Sequence, residues 1–297
     1  MTNIALFAAT VLIWGTTWIA IAFQIGPVPV LTSVFYRFAL AALLMLPVLA
    51  LFRRLTPVPL RAHRFILLQG VFLFSVNFLC FYNATRFIPS GLVSVVFSLA
   101  TIFNAVNARL IFGDRIRPRA LLATALGAAG LALLFAPDLW GHAVDVDTLK
   151  GLALAAGGTL SFSLGNMVSR RNSAAGIPPL TANAWGMGYG ALMLLAAMVF
   201  SGTPMVVPDE PRYLAALAYL SIIGSIVGFT TYLMLVARIG TGRAAYATVL
   251  FPVIALMASA VWEGFVWTPL AVAGLALTLA GNAVMFAPAR RASAQPA

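Results

Sequence analysis

Apolar residues run along this chain in long blocks, without the stripes of a soluble amphipathic helix. No charged residue occurs from Asn3 to Gln24, and Arg37 is the only one from Val30 to Phe52. Comparable blocks fill 3–24, 30–52, 64–85, 89–111, 118–136, 149–169, 179–201, 211–237, 242–263 and 268–287. Each approaches the roughly 20 residues that carry a helix across about 30 Å of hydrocarbon. Between them stand stretches rich in Pro, Gly or charge: "GPVP" at 26–29, "RRLTPVPLRAHR" at 53–64, "GDRIRPR" at 113–119, "PDLWGHAVDVD" at 137–147, "RRNSAAGIPP" at 170–179 and "SGTPMVVPDEP" at 201–211. Such stretches interrupt helices and belong outside hydrocarbon. The pattern predicts an all-α integral membrane protein of ten transmembrane helices. The first block lacks the basic leader of a signal peptide and outruns its usual apolar core, so it is expected to stay as a span.

Composition agrees: 62% of residues are hydrophobic and 8% charged, too few polar groups to coat a soluble domain of 297 residues. The single cysteine, Cys80, allows no disulfide framework and reads as a packing residue. Charge adds orientation. The loops after the second, fourth, sixth and eighth blocks and the tail carry Arg53, Arg54, Arg61, Arg64, Arg109, Arg115, Arg117, Arg119, Arg170, Arg171, Arg238, Arg243, Arg290 and Arg291. The other side carries only Arg86, Lys150 and Arg212, with Asp138, Asp145, Asp147, Asp209 and Glu210. Arginine excess marks the cytoplasmic side, so both termini are expected there. The net charge of +11 follows from this asymmetry and from anionic lipid, and no base–aromatic run suggests nucleic acid.

A repeat refines the architecture. "ALGAAGLALLFAP" at 125–137 returns as "ALTLAGNAVMFAP" at 276–288, identical at eight of thirteen positions at a separation of 151 residues. Gly91 aligns with Gly242, Pro118 with Pro269 and Thr101 with Pro252, and "PV" at 29–30 lies near the alignment of "PP" at 178–179. A unit of five spans ends on the opposite side from its start, so its second copy is inserted upside down. The expected units are 1–137 and 148–288, followed by a cytoplasmic tail at 289–297. Two inverted halves are the arrangement that supports alternating access to a site near the midplane.

"LIWGTTW" in the first span, "FYRFALAALLML" in the second, "FIPSGLVSVVFSLATIF" followed by "FGDR" in the fourth, and "GTGRAAYATVLFPVIALMASAVWEG" in the ninth resemble the paired EamA-type repeats of the drug/metabolite transporter superfamily. Within it the chain is most similar to the ten-helix bacterial aromatic amino-acid exporters. The resemblance implies export of small metabolites, with no cofactor. Thr101 stands where the family usually has proline, and Asp114 where it usually has glutamate. The first departure bears on a helix kink in one half only.

Seven acids and two histidines, nearly all in loops, assemble no metal cluster, catalytic triad or phosphate-cradling loop, which argues against an enzyme. His63 begins the third span and His142 lies on the outer side. Proton relays use intramembrane Asp, Glu or His, and none falls at the midplane, so facilitated transport is expected. Glu263, near the outer interface, is the one candidate for proton coupling. Arg37 lies about 10 Å below the outer end of its span at 1.5 Å per residue. It is open to two readings: a guanidinium for a substrate carboxylate, or a structural charge satisfying carbonyls or snorkelling. The resemblance puts an arginine there in members with different substrates, which favours the second.

Polar and aromatic residues inside spans define a candidate cavity, because they face protein or water and seldom lipid. Trp14 and Trp18 share a face of the first span; Asn77, Phe78, Phe81 and Tyr82 cluster on the third. Ser94, Phe97, Ser98 and Thr101 follow at helical spacing on the fourth. Ser161 and Asn166 in the sixth, Phe229 and Tyr232 in the eighth, and Tyr246 and Phe251 beside Pro252 in the ninth complete the set. Packing alone also explains hydroxyls and glycines in spans, and "GG" at 157–158 points to close helix approach. Trp185 reads as structural or gating. The fifth and tenth spans, apolar with small residues, read as scaffold. The expected function is export of amino acids, aromatic ones foremost, by rocking of two halves. Another metabolite or drug, or a membrane receptor without turnover, is the alternative.

Overall fold

The structure, a computed structural model, describes residues 2–116, 118–136, 145–239, 244 and 246–286. Arg117, Asp138, His142, Gly242, Arg243, Arg290, Arg291 and the 289–297 tail lie outside the described residues.

The helices are α1 (Asn3–Ala22), α2 (Val30–Leu51), α3 (Leu60–Ala84), α4 (Ser90–Phe112), α5 (Pro118–Leu134), α6 (Val146–Ala174), α7 (Pro179–Ser201), α8 (Pro211–Val236), α9 (Ala247–Trp262) and α10 (Pro269–Phe286). Among the described residues seven of them, α1 to α4 and α6 to α8, are long and apolar enough to cross a membrane, and α5, α9 and α10 are shorter apolar helices. No strand forms among the described residues; one isolated bridge joins Ile25 and Val28.

Proline sets most helix starts. Pro29, Pro59 and Pro89 precede α2, α3 and α4, and Pro118, Pro179, Pro211 and Pro269 open α5, α7, α8 and α10. A helix's first N–H has no intrahelical acceptor, so its loss costs nothing there. The start of α6 uses a side chain instead: the Asp145 carboxylate accepts from the backbone N–H groups of Asp147 and Thr148. At Gly113 and Gly202 the chain leaves α4 and α7 in the left-handed conformation that glycine tolerates.

Two helices outrun the apolar blocks that announce them. α6 reaches Ala174 against the expected 169, and α3 starts at Leu60 against the expected 64. Hydropathy marks where hydrocarbon ends, whereas a helix continues until something breaks it. Here the breakers are Gly176, at φ 79°, and Pro59.

Large apolar side chains point outward along the helix middles, as for Leu43 at 72% exposure and Leu192 at 61%. Gln69, Ser75, Asn77, Ser163 and Thr278 are buried. This inverts the soluble arrangement and fits hydrocarbon as the solvent. α5 packs along α10 through glycine. A Cβ on Gly130 would meet Thr278 and the Gly274 carbonyl, and one on Gly281 would meet the Ala123 carbonyl and the Gly127 nitrogen. These contacts are reciprocal at the 151-residue separation, as in a two-fold interface.

Two ends of the bundle are recognisable from their contacts. At one, Arg170 pairs with Asp114 at 2.6 Å, the Thr56 amide donates to Thr181, and Tyr189 meets His63 at 2.8 Å. At the other, Arg212 lies 3.8 Å over the Phe23 ring, and Thr32 and Tyr36 donate to the carbonyls of Pro204 and Val206.

Candidate functional site

Aromatic residues from seven helices interlock at the centre of the bundle. Trp18 of α1, 6% exposed, lies 5.3 Å from Phe81 of α3, 5.5 Å from Phe97 of α4 and 6.4 Å from Phe251 of α9 between ring centroids. Phe97 also contacts Phe81 and Phe251, and Phe162 of α6 at 4.7 Å. One turn before Trp18, Trp14 meets Phe229 at 5.5 Å and Tyr232 at 4.9 Å, both on α8. A second arm runs from Phe229 through Phe74 and Phe38 to Phe78, which closes on Phe81. Half of these contacts are edge-to-face, a geometry that ring quadrupoles prefer.

Trp14, Trp18, Phe78, Phe81, Phe97, Phe229, Tyr232 and Phe251 are thus brought together as the sequence proposes. Phe38, Phe74 and Phe162 join them without having been singled out. Glycine makes the room: a Cβ on Gly158 would lie 2.6 Å from the Phe81 ring, whereas Gly157 faces open space. Of the "GG" pair, only the second makes the close approach.

The hydroxyls and amides take other roles. Ser94 and Ser98 donate back to the carbonyls of Gly91 and Val95, and Ser161 donates across to the Phe72 carbonyl. Thr101 donates to Asn282 on α10 at 3.0 Å, Asn166 donates to Asn104 at 3.3 Å, and the Asn77 oxygen accepts from the Phe78 N–H. Their hydrogen bonds tie helix to helix or side chain to backbone. Tyr246 stands partly buried at the start of α9.

Arg37 occupies a different kind of place. It is 3% exposed, with its guanidinium carbon 4.3 Å over the Phe78 ring and 5.2 Å from that of Phe38. Its Nε donates to Ser225 on α8 at 3.4 Å, and one terminal nitrogen has no hydrogen-bond acceptor. No carboxylate pairs with it among the described residues. Burying an unpaired ion costs several kcal/mol, of which ring faces return about 2 kcal/mol. Beside it, Tyr82 interacts with the guanidinium and donates to the Gln24 oxygen at 2.7 Å, while the Gln24 nitrogen, at 1% exposure, has no acceptor. Ser221, one turn before Ser225 and fully buried, is likewise unpaired.

Both α3 and α8 widen here into π-helical turns, at Val71–Val76 and Tyr219–Val227. Ser75 and Ser225 each donate to a carbonyl five residues back, of Gly70 and Leu220. π turns concentrate at functional sites because they free backbone groups and re-aim side chains. Nothing in the hydropathy pattern marks them. Gln24 escaped notice because it closes a span beside "GPVP", and Ser221 because a serine in a span usually bonds its own helix.

Glu263 lies at the C-cap of α9, and its carboxylate accepts from the Ser90 N–H, the Ser90 hydroxyl at 2.6 Å and the Ser259 hydroxyl at 2.5 Å. It thereby neutralises the positive end of α4. Asp114 is held below the usual carboxylate range by the hydrogen bonds of Arg170.

Packed aromatic rings, π turns in two spans and a buried intramembrane arginine make up the candidate site, and comparison with known proteins names the protein's class. Residues 1–136 and 149–287 match the EamA-like transporter family. The chain belongs to that family. This EamA-like transporter is a multi-pass membrane protein. It is 25% identical over 279 residues to a probable amino-acid metabolite efflux pump of Salmonella typhimurium, covering 91% of this chain and 90% of the relative. It is 28% identical over 257 residues to the uncharacterised inner membrane transporter YedA of Escherichia coli, covering 85% and 80%. A probable terminal-alkyne amino-acid exporter of Streptantibioticus cattleyicolor is 28% identical over 199 residues, 65% of this chain and 63% of the relative. A crystal structure with 19% identity superposes at a TM-score of 0.68 over 95% of both chains, a likeness of fold.

Proposed function

We propose that this EamA-like transporter exports amino acids across a bacterial inner membrane, aromatic ones foremost, by alternating access. The observation that carries the reading is the interlocked ring cluster contributed by α1, α2, α3, α4, α6, α8 and α9. Its ring faces suit a flat apolar side chain, and the adjoining polar groups suit an amphipathic molecule. The names of two relatives, which refer to amino-acid metabolites and amino acids, support the class.

Ten spans act as two inverted five-helix halves, 1–137 and 148–288, that rock about this centre. The reciprocal glycine contacts of α5 and α10 support a two-fold relation, and make these helices the scaffold. Arginine distribution puts both termini in the cytoplasm. Glu263 is engaged as a helix cap, so the substrate gradient alone drives transport.

Counterflow in proteoliposomes preloaded with unlabelled amino acids tests this. Labelled phenylalanine is expected to accumulate saturably, faster than threonine and indifferent to an imposed pH gradient. Saturable binding without counterflow would instead describe a receptor. Failure of every amino acid would move the substrate to another metabolite class.

A further inference from the structure

We infer that Arg37, with Gln24 and Ser221, forms an anion subsite that takes the carboxylate of the transported molecule. The inference rests on the transporter reading above and names the chemistry its substrate must carry.

Three buried side-chain atoms lack a hydrogen-bond partner among the described residues: a terminal nitrogen of Arg37, the amide nitrogen of Gln24 and the hydroxyl of Ser221. Two are donors only, and the third can donate. They belong to one neighbourhood. Gln24 is joined to Arg37 through Tyr82, and Ser221 sits one helical turn from Ser225, which accepts from Arg37. Buried polar atoms are almost always paired, so three orphans around one cation describe a site awaiting an acceptor.

The acceptor does not come from the described chain. Glu263 is engaged by Ser90 and Ser259, Asp114 by Arg170, Asp147 by Lys150 and Asp145 by the start of α6. Asp209 and Glu210 are exposed in the connection before α8. An unpaired terminal nitrogen on a guanidinium matches a carboxylate oxygen, with which it forms a charge-assisted hydrogen bond. Gly224 lets α8 approach α1 beside Arg37: a Cβ there would stand 2.8 Å from the Thr17 methyl. Phe78 supplies the link to the rest of the path, since its ring carries Arg37 and also contacts Phe81 of the central cluster. A carboxylate held at Arg37 therefore leaves an attached aromatic group beside those rings.

The test compares phenylacetate with its uncharged amide, phenylacetamide, as ligands that raise the unfolding temperature of the purified full-length protein, alongside phenylalanine counterflow. Phenylacetate is expected to stabilise and phenylacetamide not. Arg37→Gln is expected to abolish that preference and to raise the counterflow KM for phenylalanine by tenfold or more. Equal stabilisation by both ligands, or a preference that survives in Arg37→Gln, overturns the subsite. If Arg37→Gln does not fold, Arg37→Lys and Ser221→Ala decide: a preference reduced at least threefold in either supports the site, and one unchanged in both overturns it. If wild type moves no amino acid yet phenylacetate still stabilises through Arg37, the amino-acid reading fails and the anion subsite stands.

Discussion

Two buried polar clusters divide the bundle, and they are built on opposite principles. Near the Asp114–Arg170 end, Gln69 donates to Asn183 at 2.9 Å and accepts from Asn172 at 2.9 Å, tying α3, α6 and α7 together with each of these amides paired. Around Arg37, by contrast, the turn after α1 together with α2 and α8 presents donors that nothing accepts among the described residues. A satisfied network is architecture: it fixes helix register and needs nothing from outside. An unsatisfied one is destabilising by itself and persists where a ligand completes it. The same residue types thus serve structure at one place and recognition at another, and only their pairing tells which.

The comparison can be broken most severely at its satisfied half. Gln69→Leu strands the amides of Asn172 and Asn183, at roughly 1–3 kcal/mol each, and should destabilise the protein by about 2–6 kcal/mol in reversible unfolding in micelles. Carboxylate preference should survive in whatever remains folded. Next comes Glu263→Gln, which weakens the charged cap on α4. A loss of about 1–2 kcal/mol is expected in the same assay, with the pH profile of counterflow unchanged. A profile that flattens would make Glu263 a proton carrier.

Ser221→Ala sharpens the contrast from the other side. It removes a buried hydroxyl that lacks a partner, so stability should stay unchanged or rise by up to about 1 kcal/mol while the preference for carboxylate falls. A loss of several kcal/mol would mean that Ser221 is paired in the folded protein and belongs with the architecture. The smallest effect is expected at Asp114, which is exposed and screened. Its carboxyl is held below its ordinary range, so the contribution of its contact with Arg170 is present above the unfolded value of about 3.9 and lost as pH falls through the lower folded one. Asp114→Asn should therefore leave a melting-temperature difference that is constant from about pH 5 upward and vanishes in acid.

Much of this was legible in the chain itself. Trp14 and Trp18, or Phe78 and Phe81, recur at helical spacing, so their shared faces follow from periodicity. Their meeting across helices did not: Ser161 draws attention in α6 by its polarity, yet it is the ring of its neighbour Phe162 that reaches Phe97. Ser94 and Ser98 look like cavity residues at the same spacing, yet each turns to its own backbone. Spacing records which side of a helix a residue occupies, and leaves open whether its hydrogen bond is already made.

Membrane insertion is decided segment by segment, by the transfer of some twenty side chains into hydrocarbon, so the spans and their arginine-rich ends are local properties that sequence alone determined. The π turns, the ring cluster and the orphaned donors are not local. Arg37 and the Ser225 it touches are 188 residues apart, and Gln69 and Asn183 are 114 apart. Whether a buried donor finds an acceptor depends on the residue facing it from another helix. Only the tertiary structure decided that, because hydrogen bonds act over about 3 Å and the chain carries no local signal of which remote atom comes within that reach.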